Sequence, residues 1–162
     1  MEVEGRGALR PSHGFSMVEL VIVLLLVAIM LTLASGAFNG YLERTAARRA
    51  AELFVQDLTV TRNAALRSRR VAVLDFDEDG LNYVARMESG DTLLFRSFGR
   101  DGGIHLSYLD LEVSGDTLVF DSRGQADLTG AVGPLGRAVF SAGSRSYVVS
   151  FNSMGVTRID GP

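Results

Sequence analysis

Residues 14–38 read GFSMVELVIVLLLVAIMLTLASGAF, an apolar run that contains one carboxylate, Glu19, near its start. A helix rises about 1.5 Å per residue, so the run supplies the roughly 20 residues that cross the hydrocarbon layer of a bilayer. A charged side chain at mid-depth of such a span costs about 2.5–3.5 kcal/mol on insertion scales. The run is therefore long enough to span a membrane, and Glu19 needs a positively charged partner there.

Two plainer interpretations of this run stay open. A secretory signal peptide has an apolar core of about 7–15 residues before a small-residue cleavage site, and Ser35-Gly36-Ala37 offers such a site. The run is longer than that core and carries an acid, which argues against a secretory signal. The other interpretation is a plain single-span anchor, which would have no use for Glu19.

The order of residues before the run resembles the processing signal of type IV pilins and type II secretion pseudopilins. A polar leader ends at Gly14, Phe15 follows, and Glu19 is the fifth residue of the apolar run. The resemblance implies that a prepilin peptidase cuts between Gly14 and Phe15 and methylates the new amine of Phe15. It also implies that Glu19 pairs with the N-terminus of a subunit during filament assembly. Other pilin-like subunits, the peptidase and an inner-membrane assembly platform are the partners it implies.

Arginines flank the run on both sides, with Arg6 and Arg10 before it and Arg44, Arg48 and Arg49 after it. Lys and Arg favour the cytoplasmic side of a span, so charge counting alone does not place the leader in the cytoplasm. The resemblance does so, because the processing enzyme of that family acts on the cytoplasmic side. It implies a single-pass inner-membrane protein with a periplasmic C-terminal domain, which later joins a pseudopilus or pilus.

The composition argues against an enzyme. The 162 residues include no Cys, their basic residues are all Arg, and the formal net charge is −3. No disulfide, catalytic thiolate or Schiff-base lysine is therefore available, and no basic excess draws the chain to nucleic acid. His105 is expected to face solvent on a strand, with no second His after the leader to share a zinc site. We predict no catalytic residues and no cofactor.

A calcium-like pattern opens at Asp75, where Asp77, Asp79 and Gly80 follow at EF-hand spacing. The twelfth position, which should be a bidentate Glu, is Arg86. The pattern therefore predicts a hairpin turn over 77–80, with Asp79-Gly80 supplying the positive backbone torsions, and no metal site.

The spacing of apolar side chains after the run predicts an amphipathic helix and then strands. Residues 39–68 repeat apolar or small side chains at spacings of three and four, and no Pro interrupts residues 12–133, which favours one helix of about 50 residues. The predicted buried positions are Leu42, Ala46, Ala50, Leu53, Phe54, Leu58, Thr61 and Ala65. From residue 71 the period approaches two. Strands are predicted at 71–76, 81–87, 92–98, 104–109, 117–121, 137–141, 146–152 and 156–159, with the first covered on both faces.

The prediction is thus an α+β fold, in which a long N-terminal helix packs on an antiparallel β domain of about eight strands. Its parts are a leader (1–14), a transmembrane and filament-core helix (15–38), an amphipathic continuation (39–68) and a periplasmic β domain (69–162). This is the pilin architecture. Two stretches resemble the GspH/FimT branch of minor pseudopilins. The first is the turn 120–124 followed later by 147–150, and the second is the closing 152–159.

The predicted function is a minor structural subunit of a type II secretion pseudopilus, with a minor type IV pilin of the FimT kind as the alternative. Some FimT-like proteins are associated with DNA uptake through a C-terminal Gly-Arg-x-Arg. Here the stretch is Gly155-Val156-Thr157-Arg158, so Val156 replaces the first arginine. The candidate nucleic-acid contacts are Arg62, Arg67, Arg69, Arg70 and Arg158. The helix dipole is a sufficient alternative reason for Arg67 and Arg69 near a helix C-terminus.

Overall fold

The computed structural model describes residues 16–99 and 102–162. The chain divides into two compact units, Met1–Phe38 and Asn39–Pro162. Helix α1 (Met17–Ser68) contributes residues to both units. Each unit is described by itself below.

The described part of the first unit is helical from Met17. Ser16 caps the helix: its carbonyl oxygen accepts a bond from the Leu20 amide at 3.1 Å and its Oγ accepts one from the Val18 amide at 3.3 Å. A side-chain oxygen at this position satisfies a backbone donor that has no partner within the helix. The large apolar side chains from Met17 to Leu33 are all exposed in the structure.

The second unit consists of the remainder of α1 and eight strands in two antiparallel sheets. The strands are β1 (Ala72–Asp77), β2 (Asn82–Met87), β3 (Thr92–Ser97), β4 (Tyr108–Leu111), β5 (Thr117–Phe120), β6 (Gly136–Ala142), β7 (Arg145–Phe151) and β8 (Thr157–Asp160). The first sheet has the order β3-β2-β1-β5 and the second the order β4-β6-β7-β8. The predicted helix followed by eight strands is confirmed.

Phe54 of α1 lies where the two sheets meet. Its ring centroid is 5.7 Å from Phe76 and 5.9 Å from Tyr83 of the first sheet, and 5.3 Å from Phe140 and 6.0 Å from Phe151 of the second. Aromatic pairs at such separations add to the burial of apolar area. One helix residue therefore joins both sheets into a single core.

The buried face of α1 differs in two ways from the set of buried positions that the sequence predicts. Leu42 is 49% exposed, whereas Ala47 and Ala51 are fully buried. Small side chains let the helix backbone approach the sheets closely. Asp57, a carboxylate, is also buried, at 2% exposure.

The fourth strand begins later than predicted. Residues 104–107 precede β4 as irregular chain, so His105 does not lie on a strand, although it is exposed as expected. Ile104 and Leu106 alternate with it as in a strand, but they pack on the core without joining a ladder. Leu106 donates its amide to the carbonyl of Phe98 at 3.0 Å instead.

Two details of the first hairpin also differ from prediction. The turn closes by a bond from the Leu81 amide to the Glu78 carbonyl at 3.1 Å, and the positive φ, 49°, belongs to Leu81 rather than to Asp79 or Gly80. Strand β1 alternates between buried and half-buried residues, so only one of its faces is fully covered. The other face carries Asp75, which needs a polar environment.

Candidate functional site

The first turn of α1 holds the predicted assembly residue. Glu19 is exposed at the third helical position, where the helix dipole stabilises a negative charge. The apolar side chains that follow it are exposed as well, and α1 contains a segment long and apolar enough to cross a membrane. The predicted cleavage site, Gly14 and Phe15, lies outside the described residues.

A polar cluster around the buried Asp57, missed from the sequence, fixes α1 to the edge of the first sheet. Arg96 on β3 donates from Nε to Asp57 Oδ2 at 2.6 Å and from Nη2 to Oδ1 at 3.0 Å. Tyr83 on β2 donates its hydroxyl to Asp57 Oδ2 at 2.8 Å. The spacing of Asp57 from Phe54 and Thr61, three and four residues, would have placed it on the buried face.

This cluster shifts the protonation equilibria of its donors. The bond to Asp57 raises the pKa of Arg96 above its already high ordinary value. Burial raises the pKa of Tyr83 far above its ordinary value, and the nearby Asp57 carboxylate acts in the same direction. Both donors are protonated at neutral pH even at their ordinary pKa values, and the shifts extend that state to higher pH. The Asp57 carboxylate is bonded on both oxygens.

Two turns of similar construction hold Arg62 at the rear of the helix. In the first, Asp121 Oδ1 accepts the amides of Arg123 and Gln125, both at 2.8 Å, and Gly124 has φ 69°. In the second, Asn152 Oδ1 accepts the amides of Met154 and Val156 at 3.0 and 2.9 Å, and Gly155 has φ 74°. These turns belong to the two stretches that resemble the GspH/FimT branch.

Arg62 is in contact with both turns. Its Nε donates to the Gly124 carbonyl oxygen at 2.9 Å, and its Cδ lies where a side chain at Gly155 would otherwise be placed. The guanidinium thereby satisfies a backbone acceptor of the protein itself. Arg62 has a structural role that the sequence did not reveal.

The other candidate nucleic-acid contacts are distributed differently. Arg67, Arg69 and Arg70 are exposed around the C-terminus of α1, where Arg69 has φ 53° and the Arg70 amide bonds to the Ala65 carbonyl at 3.3 Å. Arg158 donates to Asp160 Oδ1 at 2.8 Å, an exposed pair that offsets its charge. DNA contact through these arginines stays a prediction, and two of the five are engaged with protein acceptors.

Two aspartates of the calcium-like pattern, Asp75 and Asp77, have partners within the protein. Asp77 accepts the Gly80 amide and the Asn82 side-chain amide, both at 2.9 Å, and its pKa is lowered by those bonds, that of Gly80 foremost. Asp75 lies 2.6 Å from Arg86 Nη2 and accepts a bond from Thr117 Oγ1 at 3.1 Å. Arg86 thus provides the charge that neutralises Asp75.

A groove of about 530 Å³ borders the helix where the second unit begins. Leu42, Ala46, Ile104 and Leu106 form part of its apolar wall, and His105 lies at its edge. Within residues 16–99 and 102–162, no group of three or more His, Cys, Asp or Glu side chains is arranged to hold a metal ion.

Two solved structures are similar to this chain. The type IV minor pilin FimU of Pseudomonas aeruginosa (strain PAO1) superposes with a TM-score of 0.54 at 18% identity, over 74% of this chain and 94% of that chain. The minor pseudopilin EpsH of the Vibrio cholerae type 2 secretion system gives a TM-score of 0.49 at 17% identity, over 72% and 97%. No curated protein matches the sequence. At such identities the FimU likeness speaks for the fold alone.

Two family models match the sequence itself. The prokaryotic N-terminal methylation motif matches residues 9–35, and the type II transport protein GspH matches residues 50–155, well over half of the chain. The second match includes most of the buried face of α1, both sheets up to β7, the first of the two turns that hold Arg62 and most of the second. The chain therefore belongs to the family of the type II transport protein GspH and carries a prokaryotic N-terminal methylation motif.

Proposed function

We propose that this chain is a minor structural subunit of a type II secretion pseudopilus. In this proposal residues 1–14 are a leader, 15–38 anchor the subunit in the inner membrane and then join the filament core, and 39–162 form the periplasmic part. Membership of the GspH family and the methylation motif support it. The role is one of assembly through the helix rather than of catalysis.

The observation that carries the proposal is the exposed carboxylate of Glu19 in an otherwise apolar, exposed helix segment. Buried in lipid or in a filament core, that carboxylate needs a cation nearby, because an uncompensated charge is costly there. Cleavage after Gly14 by a prepilin peptidase creates such a cation, the Phe15 amine, which remains charged after methylation. Pairing of Glu19 with the Phe15 amine of a neighbouring subunit would then set the axial register.

The mature N-terminus tests the processing step. Mass spectrometry of the protein extracted from membranes should find a chain that starts at methylated Phe15. A chain that starts at Phe38, after the Ser35-Gly36-Ala37 site, would show a secretory signal, and an uncut chain would show a plain anchor. Either result rejects the proposal.

Two variants of Glu19 test the assembly step. Glu19→Gln keeps the shape of the side chain and removes its charge, so the subunit should insert and be cut but be recovered poorly in sheared filaments. Glu19→Asp keeps the charge and should retain most of the incorporation. Equal recovery of Glu19→Gln and the parental protein would contradict the pairing.

Deletion of the gene distinguishes a subunit of a type II secretion pseudopilus from a subunit of a type IV pilus. Loss of exoprotein secretion with surface motility retained is expected for a pseudopilus that works with the type II assembly platform. Loss of motility with secretion retained would assign the chain to a type IV pilus instead. Co-purification with the platform and with other pilin-like subunits is expected in the first case.

A further inference from the structure

One face of α1, just after the apolar run, carries a set of exposed cationic and aromatic side chains. Tyr41, Arg44, Arg48 and Arg49 occupy positions i, i+3, i+7 and i+8, which lie on one side of a helix. Together with Thr45 and Glu52 they form a shallow hollow of about 440 Å³. We call these four residues the arginine face.

The arginine face keeps a net positive charge, although two of its three arginines have protein partners. Arg44 donates from Nε to the hydroxyl of Tyr147, a neutral acceptor, at 3.3 Å. Glu43, the residue before Arg44, points to the β6–β7 turn, where its Oε2 accepts the amide and the hydroxyl of Ser144 at 3.2 and 3.3 Å. Arg48 is paired with Glu52 at 2.8 Å on the surface. Within residues 16–99 and 102–162, the side chain of Arg49 makes neither a hydrogen bond nor an ion pair.

The arginines of this face lie on the side of the span where arginine is least expected. Under the proposed topology they follow the span on the periplasmic side, where the positive-inside rule disfavours Arg. Arg44 is six residues from Phe38, so the chain keeps the two within about 20 Å in any conformation. Tyr41 is 66% exposed, and Tyr is enriched where a span meets the headgroups.

We infer that Tyr41, Arg44, Arg48 and Arg49 bind the phosphate of an anionic phospholipid headgroup at the membrane surface. This inference rests on the proposed membrane anchoring by residues 15–38. Guanidinium groups donate in pairs to phosphate oxygens, and their charge is attracted to an anionic leaflet. Bound headgroups would hold the subunit at the bilayer surface before it enters a filament, and they offset the cost of arginines on that side.

Short-chain lipids test this binding on the full chain in detergent micelles. Native mass spectrometry should show saturable binding of dioctanoyl-phosphatidylglycerol and at least tenfold weaker binding of dioctanoyl-phosphatidylcholine. The double variant Arg48→Gln/Arg49→Gln should weaken phosphatidylglycerol binding by about 25-fold, or fivefold for each arginine. The matched control, Arg67→Gln/Arg70→Gln, removes the same charge at the other end of the helix and should change binding less than twofold.

Four results would overturn the inference. Equal losses in the two double variants would show general charge attraction, and equal competition by inorganic phosphate would show a site for the free ion. Equal binding of the two lipids would show that the headgroup charge is not recognised. Unchanged lipid binding in Arg48→Gln/Arg49→Gln, together with reduced cross-linking to a second subunit, would assign the face to a protein contact. Unchanged thermal unfolding of both variants would confirm that each is folded.

Vesicle flotation separates this inference from the proposal on which it rests. The full chain should float with vesicles of pure phosphatidylcholine, because that step needs only the apolar anchor. A chain that floats but shows no preference for phosphatidylglycerol rejects the headgroup site alone. A chain that does not float rejects the anchor itself.

Discussion

The guanidinium of Arg96 and the carboxylate of Asp57 form a two-bond pair between the edge of the first sheet and the buried face of α1. The two side chains differ in exposure, at 39% for Arg96 and 3% for Asp57. Loss of Arg96 leaves an unpaired carboxylate in the core, whereas loss of the Asp57 charge leaves a cation that water can reach. The two partners should therefore respond unequally to mutation.

Arg96→Met should lower the free energy of unfolding by about 2–3 kcal/mol, below the usual cost of breaking a buried pair because Arg96 is partly solvated. Asp57→Asn, which still accepts the bond from Tyr83, should lose about 1–2 kcal/mol. Denaturant unfolding of the full chain in detergent measures both, with Arg48→Met as a control at an exposed pair that should have little effect. A larger loss in Asp57→Asn than in Arg96→Met would contradict this explanation.

Tyr83 should make the protein sensitive to alkali. Burial raises its pKa in the folded state, while a tyrosine in the unfolded chain ionises near pH 10. The stabilisation is fully present below about pH 10 and should decline by about 1.4 kcal/mol per pH unit above it, because only the unfolded state loses the proton. Unfolding of Tyr83→Phe between pH 10 and 11.5 should lack this decline. Identical slopes in the two proteins would reject the argument.

Phe54→Ala should be among the most damaging core substitutions. The ring contacts both sheets, so its removal leaves a cavity that neither sheet can fill without separating from the other. A loss of about 3–5 kcal/mol in the free energy of unfolding is expected. Phe54→Leu, which retains most of the volume, should lose less than half as much, and similar losses in the two variants would argue against the cavity.

Arg69→Gly should stabilise the protein. Arg69 ends α1 with a φ of 53°, and the Arg70 amide bonds to the Ala65 carbonyl in the arrangement that usually has glycine at this position. Glycine adopts that conformation without steric cost, so a gain of about 0.5–1 kcal/mol is expected. Arg67→Gly, within the helix, should lose up to about 1 kcal/mol. Thermal unfolding temperatures should shift in opposite directions.

Gly124→Ala tests how closely the turn that holds Arg62 packs against Leu66. Its φ of 69° is unfavourable for Ala, and a methyl group there would press on the side chain of Leu66. The matched control is Gly115→Ala, where φ is 77° and the space around the added carbon is open. Both should lose about 1 kcal/mol for the backbone, and Gly124→Ala should lose more. Equal losses would show that the contact with Leu66 is unimportant.

Much of the fold was predictable because it depends on periodicity. Eight alternating segments correspond to the eight strands, and the spacing around Phe54 and Leu58 located most of the buried face of α1. The fourth strand was misplaced because Ile104 and Leu106 alternate like strand residues while packing outside any ladder. Alternation of apolar and polar residues indicates which side chains are buried, whereas a strand also needs backbone hydrogen bonds to a neighbouring strand.

The polar contacts were much less predictable. Asp57 and Arg62 carry charges, which composition rules assign to solvent, yet their partners Arg96 and Gly124 are 39 and 62 residues away. Such pairs become visible only when the topology brings the sheets onto the helix. The motif at Gly14, Phe15 and Glu19 was readable because it is local, and its processing and pairing stay predictions.

The contacts of Phe54 with both sheets have a mechanical consequence for the second unit. A force applied along α1 reaches Phe76 and Tyr83 on one side and Phe140 and Phe151 on the other through the same ring. Separation of either sheet from the helix would remove part of the contacts that bury this ring. Under tension the domain should therefore rupture in one event, and in the proposed filament a subunit would then either keep its whole shape or lose all of it.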